Sequence, residues 1–202
     1  LAAVVLATRN KGKIAELSQM LEGFELEVLG LDAFPEIGEI EETGTTFEEN
    51  ARIKAQAVAQ ATGLVAVADD SGLEVDAIGG APGVYSARYS GEGATDARNN
   101  AKLLGALDGV PAERRTARFR CVMLACAPGG EELVADGAWE GHIAEAPRGD
   151  NGFGYDPLFV DLESGRHSAE LTREEKNARS HRGKALRRLL ADWPAFWTRV
   201  GR

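Results

Sequence analysis

The chain has 202 residues, a formal net charge of −9 and 44% hydrophobic residues. That length and apolar content support one large domain or two small lobes with a sizeable core, and exclude a disordered chain. The acidic balance argues against a protein that wraps long nucleic acid, which needs a cationic face, but leaves room for a small phosphorylated ligand in a local basic pocket.

Ala3 to Ala7 reads as a first strand. The run Ala2 to Ala7 is too short for a signal peptide or a membrane span, and no other apolar run approaches the roughly 20 residues a span needs. A cytoplasmic protein without membrane contact is therefore expected. The polar turn Thr8-Arg9-Asn10-Lys11-Gly12-Lys13 follows, and Ile14, Leu17, Leu21 and Phe24 recur at helical spacing, so a helix starts near Asn10 to Lys13. Glu27 to Leu31 reads as a second strand and the acidic segment after Pro35 as a loop. Thr46-Phe47-Glu48-Glu49 has the spacing of a capping box, opening an Ala-rich helix that runs to about Thr62 and stops at Gly63. Leu64 to Ala68 is then a short buried strand that runs out at Asp69.

Residues 72 to 93 hold six glycines and Pro82 interleaved with Val84, Tyr85 and Tyr89, a folded-back loop region rather than a linker. Thr95 caps a helix carrying Leu103, Leu104 and Leu107. Thr116 to Ala127 and Glu132 to Ile143 form a hairpin around Pro128-Gly129-Gly130. Cys121 and Cys126 sit there without zinc-type spacing and read as buried, reduced thiols. A glycine-rich turn from Gly149 to Gly154 leads into Pro157 to Val160. Thr172 to Glu175 is a second capping box, opening a helix interrupted near Gly183 and closed by Trp193 and Pro194. The alternation of strands and helices points to an α/β fold with two lobes flanking a cleft.

The chemistry concentrates at a few places. Asp69-Asp70-Ser71-Gly72 puts two adjacent carboxylates at the mouth of the sheet, where neither is buried unpaired without a cost of several kcal/mol, roughly. Such a pair suits a cation to be held or a proton to be moved; Ser71 offers a hydroxyl and an N–H, and Gly72 a sharp turn. The turn Thr8 to Lys13 sits between a strand and a helix start, where main-chain N–H groups, Lys11 and Lys13 favour phosphate; its spacing is not that of a Walker loop. Lys54 lies roughly on the stripe of Phe47 and Ala51; it either snorkels to the surface or points inward to the carboxylates, where it would tune them or bind phosphate. Glu41 or Glu42 with Asp70 would supply the hard oxygen ligands that suit magnesium. Phe153, Gly154, Tyr155 and Asp156 offer aromatic faces and an acceptor. Lys176, His181 and Arg182 supply donors for an anion or a carbonyl.

Six segments, in order over essentially the whole chain, resemble those of the inosine/xanthosine triphosphate pyrophosphatase family. They are Thr8 to Lys13, Glu42 to Ala51, Asp69 to Leu73, Gly79 to Tyr89, Gly152 to Pro157 and Ser180 to Gly183. The resemblance implies one domain over 1–202, an elongated mixed α/β sheet with flanking helices and two lobes around a central substrate cleft, and a homodimer. It also implies hydrolysis of a non-standard purine nucleoside triphosphate to the monophosphate and pyrophosphate with Mg2+, or Mn2+ in its place. Asp70 is then the general base, supported by Asp69 and Lys54. Glu41 or Glu42 with Asp70 holds the metal. Thr8, Arg9, Asn10, Lys11, Gly12, Lys13 and Ser71 meet the phosphates. Phe153, with Gly154 and Tyr155 beside it, stacks the base, and Asp156, Lys176, His181 and Arg182 read its edge. Two other readings stay open: a metal-dependent hydrolase acting at the terminal phosphate, and a non-catalytic nucleotide-binding module of similar fold.

Overall fold

A computed structural model describes residues 2–200 of the chain. Its strands are β1 (Ala2–Leu6), β2 (Leu26–Gly30), β3 (Val65–Val75), β4 (Thr116–Cys126), β5 (Glu132–Ile143) and β6 (Phe159–Asp161). They form one mixed sheet in the order β2-β1-β3-β4-β5-β6, with β1 parallel to both neighbours and β6 antiparallel to β5. The helices are α1 (Lys11–Met20), α2 (Phe47–Thr62), α3 (Asp96–Ala106), α4 (Arg173–Arg179) and α5 (His181–Val200). The chain divides into two compact units. The first takes in Leu1–Asp70, Cys121–Gly137 and Arg182–Arg202; the second takes in Ser71–Arg120 and Ala138–His181.

In the first unit β1 is buried on both faces, which is why it reads as an uninterrupted apolar run. Val4 and Leu6 pack with Leu17 of α1 and with Leu186, Leu189 and Phe196 of α5. Val5 and Ala7 face the other way, onto Ala51, Ala55 and Val58 of α2. The small alanines let α2 lie close to the sheet. Its start is set by Thr46, whose side chain accepts from the Glu49 N–H at 3.1 Å, and its end by Gly63 in the left-handed region at φ +69°. Glu49 does not complete the box on the cap residue; its carboxylate takes the Thr45 N–H instead, at 2.7 Å.

The second unit has its own core of Leu73, Leu103, Leu107, Phe119, Trp139 and Phe159, on α3 and on β3 to β6. No helix among the described residues is long and apolar enough to cross a membrane.

The structure corrects two boundaries. β3 does not run out at Asp69: it continues to Val75, so both aspartates lie mid-strand and Gly72 is a strand residue rather than a sharp turn. The reason is the apolar pair beyond them, Leu73 and Val75, both fully buried. The helical break falls at Ser180, whose backbone is extended, and not at Gly183; α5 then passes through Pro194 to Val200. Trp193 and Phe196 are buried on either side of that proline, and their packing holds the helix across it.

Two glycines give opposite expectations. A Cβ at Gly141 of β5 would overlap the Val160 carbonyl and lie 2.6 Å from the Phe159 ring, whereas at Gly105, inside α3, it would meet nothing within 4 Å. Gly141→Ala should lower stability by about 2–3 kcal/mol through overpacking. Gly105→Ala should raise it by about 0.5–1 kcal/mol through helix propensity. Thermal melts of the two variants beside the parent check both signs.

Candidate functional site

The first unit gathers charge around the mid-strand aspartates. Asn10 caps α1, its Oδ1 accepting from the Lys13 N–H at 3.1 Å, so the helix starts where the sequence places it. That start carries Lys13 to Asp69, with Nζ 3.3 Å from Oδ2. One turn further along the same face, Glu16 is buried and meets Arg182 Nη1 at 3.1 Å. Arg182, in the first turn of α5, also places Nε 3.4 Å from Asp69 Oδ2. From α2, the Lys54 ammonium donates to the Asp69 main-chain carbonyl at 2.6 Å and lies 3.3 Å from Asp70 Oδ1 and 3.2 Å from Glu42 Oε1. Of the two alternatives open to Lys54 in the sequence, the structure shows the inward one. Glu42 is steadied by its own loop: Asn50 Oδ1 accepts the Gly44 N–H at 2.8 Å, an approach that a Cβ on residue 44 would block.

Four carboxylates (Glu16, Glu42, Asp69, Asp70) therefore meet three cations (Lys13, Lys54, Arg182), leaving one negative charge in surplus. The surplus falls on Asp70. Asp69 is pushed up by burial, but Lys13, Arg182 and Lys54 outweigh that and hold it well below the usual carboxylate range. Asp70 is pushed up to about 6, first by burial and then by Glu42, against the pull of Lys54. Lys54 loses by burial and gains more from Asp69, Asp70 and Glu42, so it stays above its ordinary value. Asp70 Oδ2 is buried without a hydrogen-bond partner. A surplus negative charge and an open carboxylate oxygen fit a divalent cation. Glu42 is the glutamate placed to share it with Asp70, since Glu41 is exposed. Among the described residues, no group of three or more His, Cys, Asp or Glu is placed to hold a metal ion, so Asp70 and Glu42 would supply at most two protein ligands.

The remaining members of the Thr8 to Lys13 turn divide. Thr8 Oγ1 accepts the Asn10 N–H at 3.1 Å, Lys11 is exposed, and the Arg9 guanidinium donates to the Ile37 carbonyl at 2.5 Å. Ser71 is half-buried at the first residue of the second unit.

In the second unit Asp156 is buried, and its carboxylate is already engaged. Oδ2 lies 2.7 Å from Lys176 Nζ and accepts the Phe153 N–H at 3.0 Å, while Oδ1 accepts from Ser168 Oγ at 2.9 Å. Asp156 is therefore a clamp that aims Lys176 and the Phe153 loop, with three of its roughly four acceptor positions taken. The Lys176 ammonium stands 4.7 Å over the half-buried Phe153 ring. Gly152 is required twice: its φ is +73°, and a Cβ there would strike the Asp156 carboxylate. Tyr155 is a packing residue: it is buried, and its hydroxyl donates to the Ser86 carbonyl at 2.6 Å. His181 is buried and stacks on Phe119, with ring centroids 4.8 Å apart and planes 14° apart. Arg182, grouped in the sequence with the base-reading donors, has Asp69 and Glu16 as partners and so joins the acidic cluster.

Sequence reasoning missed Glu16 and noted the place of Asn50 without giving it a role. Glu16 had a signal in its i, i+3 spacing from Lys13 on one helix face. Asn50 had one in its place a single turn inside a capped helix, where an amide side chain reaches back to the preceding loop.

Fold and site define an α/β protein with a buried, partly neutralised carboxylate cluster in one unit and a cationic, aromatic-lined loop in the other. The Ham1 family model matches residues 4–192, and the chain belongs to that family. It is 74% identical over 202 residues to the dITP/XTP pyrophosphatase of Nitratidesulfovibrio vulgaris, covering 97% of this chain and 98% of the relative. It is 57% identical to the dITP/XTP pyrophosphatase of Geobacter sulfurreducens, covering 91% and 92%. The solved HAM1 protein of Coxiella burnetii superimposes with a TM-score of 0.88 at 45% identity, covering 96% of this chain and all of that one.

The raised Asp70 carboxyl has a consequence for stability. An acid whose folded pKa is about 6, against an ordinary 3.8, holds its proton more tightly in the fold than out of it. Its ionisation thus withdraws stability as pH rises from about 4 through 6, on the order of 2–3 kcal/mol once complete. Asp70→Asn should therefore melt several degrees above the parent at pH 8 in EDTA, with the gain vanishing near pH 4. Paired thermal melts at the two pH values give the difference.

Proposed function

We propose that the chain hydrolyses non-standard purine nucleoside triphosphates (ITP, dITP, XTP) to the nucleoside monophosphate and pyrophosphate. The observation that carries this is the Asp69–Asp70 pair, braced by Lys13, Lys54 and Arg182 with one carboxylate oxygen left open. Its place in a family whose close relatives are named for this activity supports the reading.

The residues would act as follows. Lys13 and Lys54 turn positive charge toward the phosphates. Water attacks the α-phosphorus and passes its proton to the Asp70 carboxylate. The bond from that phosphorus to the bridging oxygen breaks, and pyrophosphate leaves with the oxygen. Asp69 stays ionised and keeps Lys13 and Arg182 in place. Mg2+, or Mn2+, held by Glu42 and Asp70 would neutralise triphosphate charge when bound.

For the base, Phe153 offers a stacking face, while Lys176 and His181 offer donors. Donors at that edge pair with the 6-oxo group of hypoxanthine or xanthine and oppose the 6-amino group of adenine. Each mismatched buried hydrogen bond is worth roughly 1–3 kcal/mol, so discrimination of about 10²-fold is within reach. A cytoplasmic homodimer completes the proposal. Cys121 and Cys126, buried and unpaired, agree with a reducing compartment.

Pyrophosphate release measured across ITP, XTP, dITP, GTP and ATP tests the reading. The kcat/KM for ITP and XTP should exceed that for ATP by about 10²-fold. Equal values would sink the base reading, orthophosphate as the product would favour a terminal-phosphate hydrolase, and no turnover with Mg2+ would favour a binding module. Excess EDTA should abolish activity. Asp70→Asn should lower kcat by at least about 10²-fold, and Lys13→Ala should act mainly on KM.

A further inference from the structure

Phe153 stands between two glycines in the left-handed region, Gly152 at φ +73° and Gly154 at φ +61°. Such a segment has little stiffness of its own, and a ring carried on it would lose much freedom each time a ligand ordered it. The Phe153 N–H is tied to Asp156. The residue that follows is held from α3: Asp96 Oδ2 accepts the Gly154 N–H at 2.9 Å, and Asn100 Nδ2 donates to the Gly154 carbonyl at 3.0 Å. Residues 96 and 100 are one turn apart on one helix face, so a single rigid element grips both main-chain polar groups of Gly154.

The helix is itself well anchored. Thr95 caps it through the Arg98 N–H, and Leu103 and Leu107 are fully buried in the second unit's core. A Cβ on Gly154 would meet nothing within 4 Å, so glycine is needed there for its backbone angle rather than for space. Once that angle is adopted, the side chains of α3 fix where the loop lies. Neither Asp96 nor Asn100 belongs to the acidic cluster or to the donor set described above.

We propose that Asp96 and Asn100 are positioning residues that preorganise Phe153 for stacking on the purine. This rests on Phe153 being the base-stacking residue of the proposed function. Preorganisation lowers the cost of binding without touching the reacting phosphorus, so its loss falls on KM.

Steady-state kinetics with ITP test it. Asp96→Ala and Asn100→Ala should each raise KM about tenfold while kcat stays within twofold. Asp96→Asn, whose amide oxygen can accept the same N–H, should restore KM to within twofold of the parent. Phe153→Ala should raise KM by itself, and adding Asp96→Ala to it should change KM no further. A Phe153→Ala enzyme with parental KM overturns the stacking reading and this proposal with it. A raised KM in Phe153→Ala beside parental values in Asp96→Ala and Asn100→Ala overturns this proposal alone. So does a double variant in which the two effects multiply, or an Asp96→Ala effect confined to kcat. Should Asp96→Ala fold poorly, Asn100→Asp removes the donor with almost no change in shape and carries the same test.

Discussion

Two adjacent, buried carboxylates in the middle of a strand are the constraint on which the first unit depends. Successive side chains on a strand point to opposite faces, so Asp69 and Asp70 each need their own source of positive charge. Asp69 obtains it from α1 and α5 through Lys13 and Arg182, and Asp70 from α2 through Lys54. The helices that cover the two faces of β1 with apolar side chains are thus the ones that bring these cations to β3. Packing and charge compensation are served by the same elements, which is why a chain of this size can bury so many ionised groups.

The compensation is incomplete. Three cations meet four carboxylates, and the shortfall is concentrated on Asp70, whose Oδ2 lacks a partner. A fully satisfied cluster would be more stable and chemically inert. The open oxygen and the raised carboxyl are destabilising features held in place by two apolar clusters, one centred on Leu186, Leu189 and Phe196 and the other on Ala51, Ala55 and Val58. The trade of stability against function is common where a site must bind charge that arrives with its ligand.

The second unit solves a different problem with similar means. Its buried ion pair, Asp156 with Lys176, has both carboxylate oxygens engaged, so it serves to aim the lysine and shape the loop around Phe153. Tyr155 and Ser86 tie the same loop region into the core through a buried hydrogen bond. Rigidity there comes from main-chain groups being taken up by side chains, because a loop with two left-handed glycines supplies none of its own.

The sequence by itself determined the elements whose signals are local. The Thr46 cap and Gly63 stop of α2, the hairpin around residues 128–130 and the Asn10 start of α1 follow from turn chemistry and periodicity, which act over a few residues. It also identified the aspartate pair and the place of Lys54 on an apolar stripe, because a charged residue on such a stripe is visible without a partner, although whether it snorkels or turns inward is not. Tertiary structure decided the rest. β3 runs past Asp70 because distant residues bury Leu73 and Val75, and α5 crosses Pro194 because Trp193 and Phe196 are held by a core formed from the whole first unit. The role of Asp156 as a clamp, the pairing of Arg182 with Glu16 and Asp69, and the ion pair of Lys54 with Glu42 depend on which side chains meet across long stretches of chain. Residue type and spacing state what a side chain is able to do; its partners, fixed only by the fold, settle which of those capacities remains free.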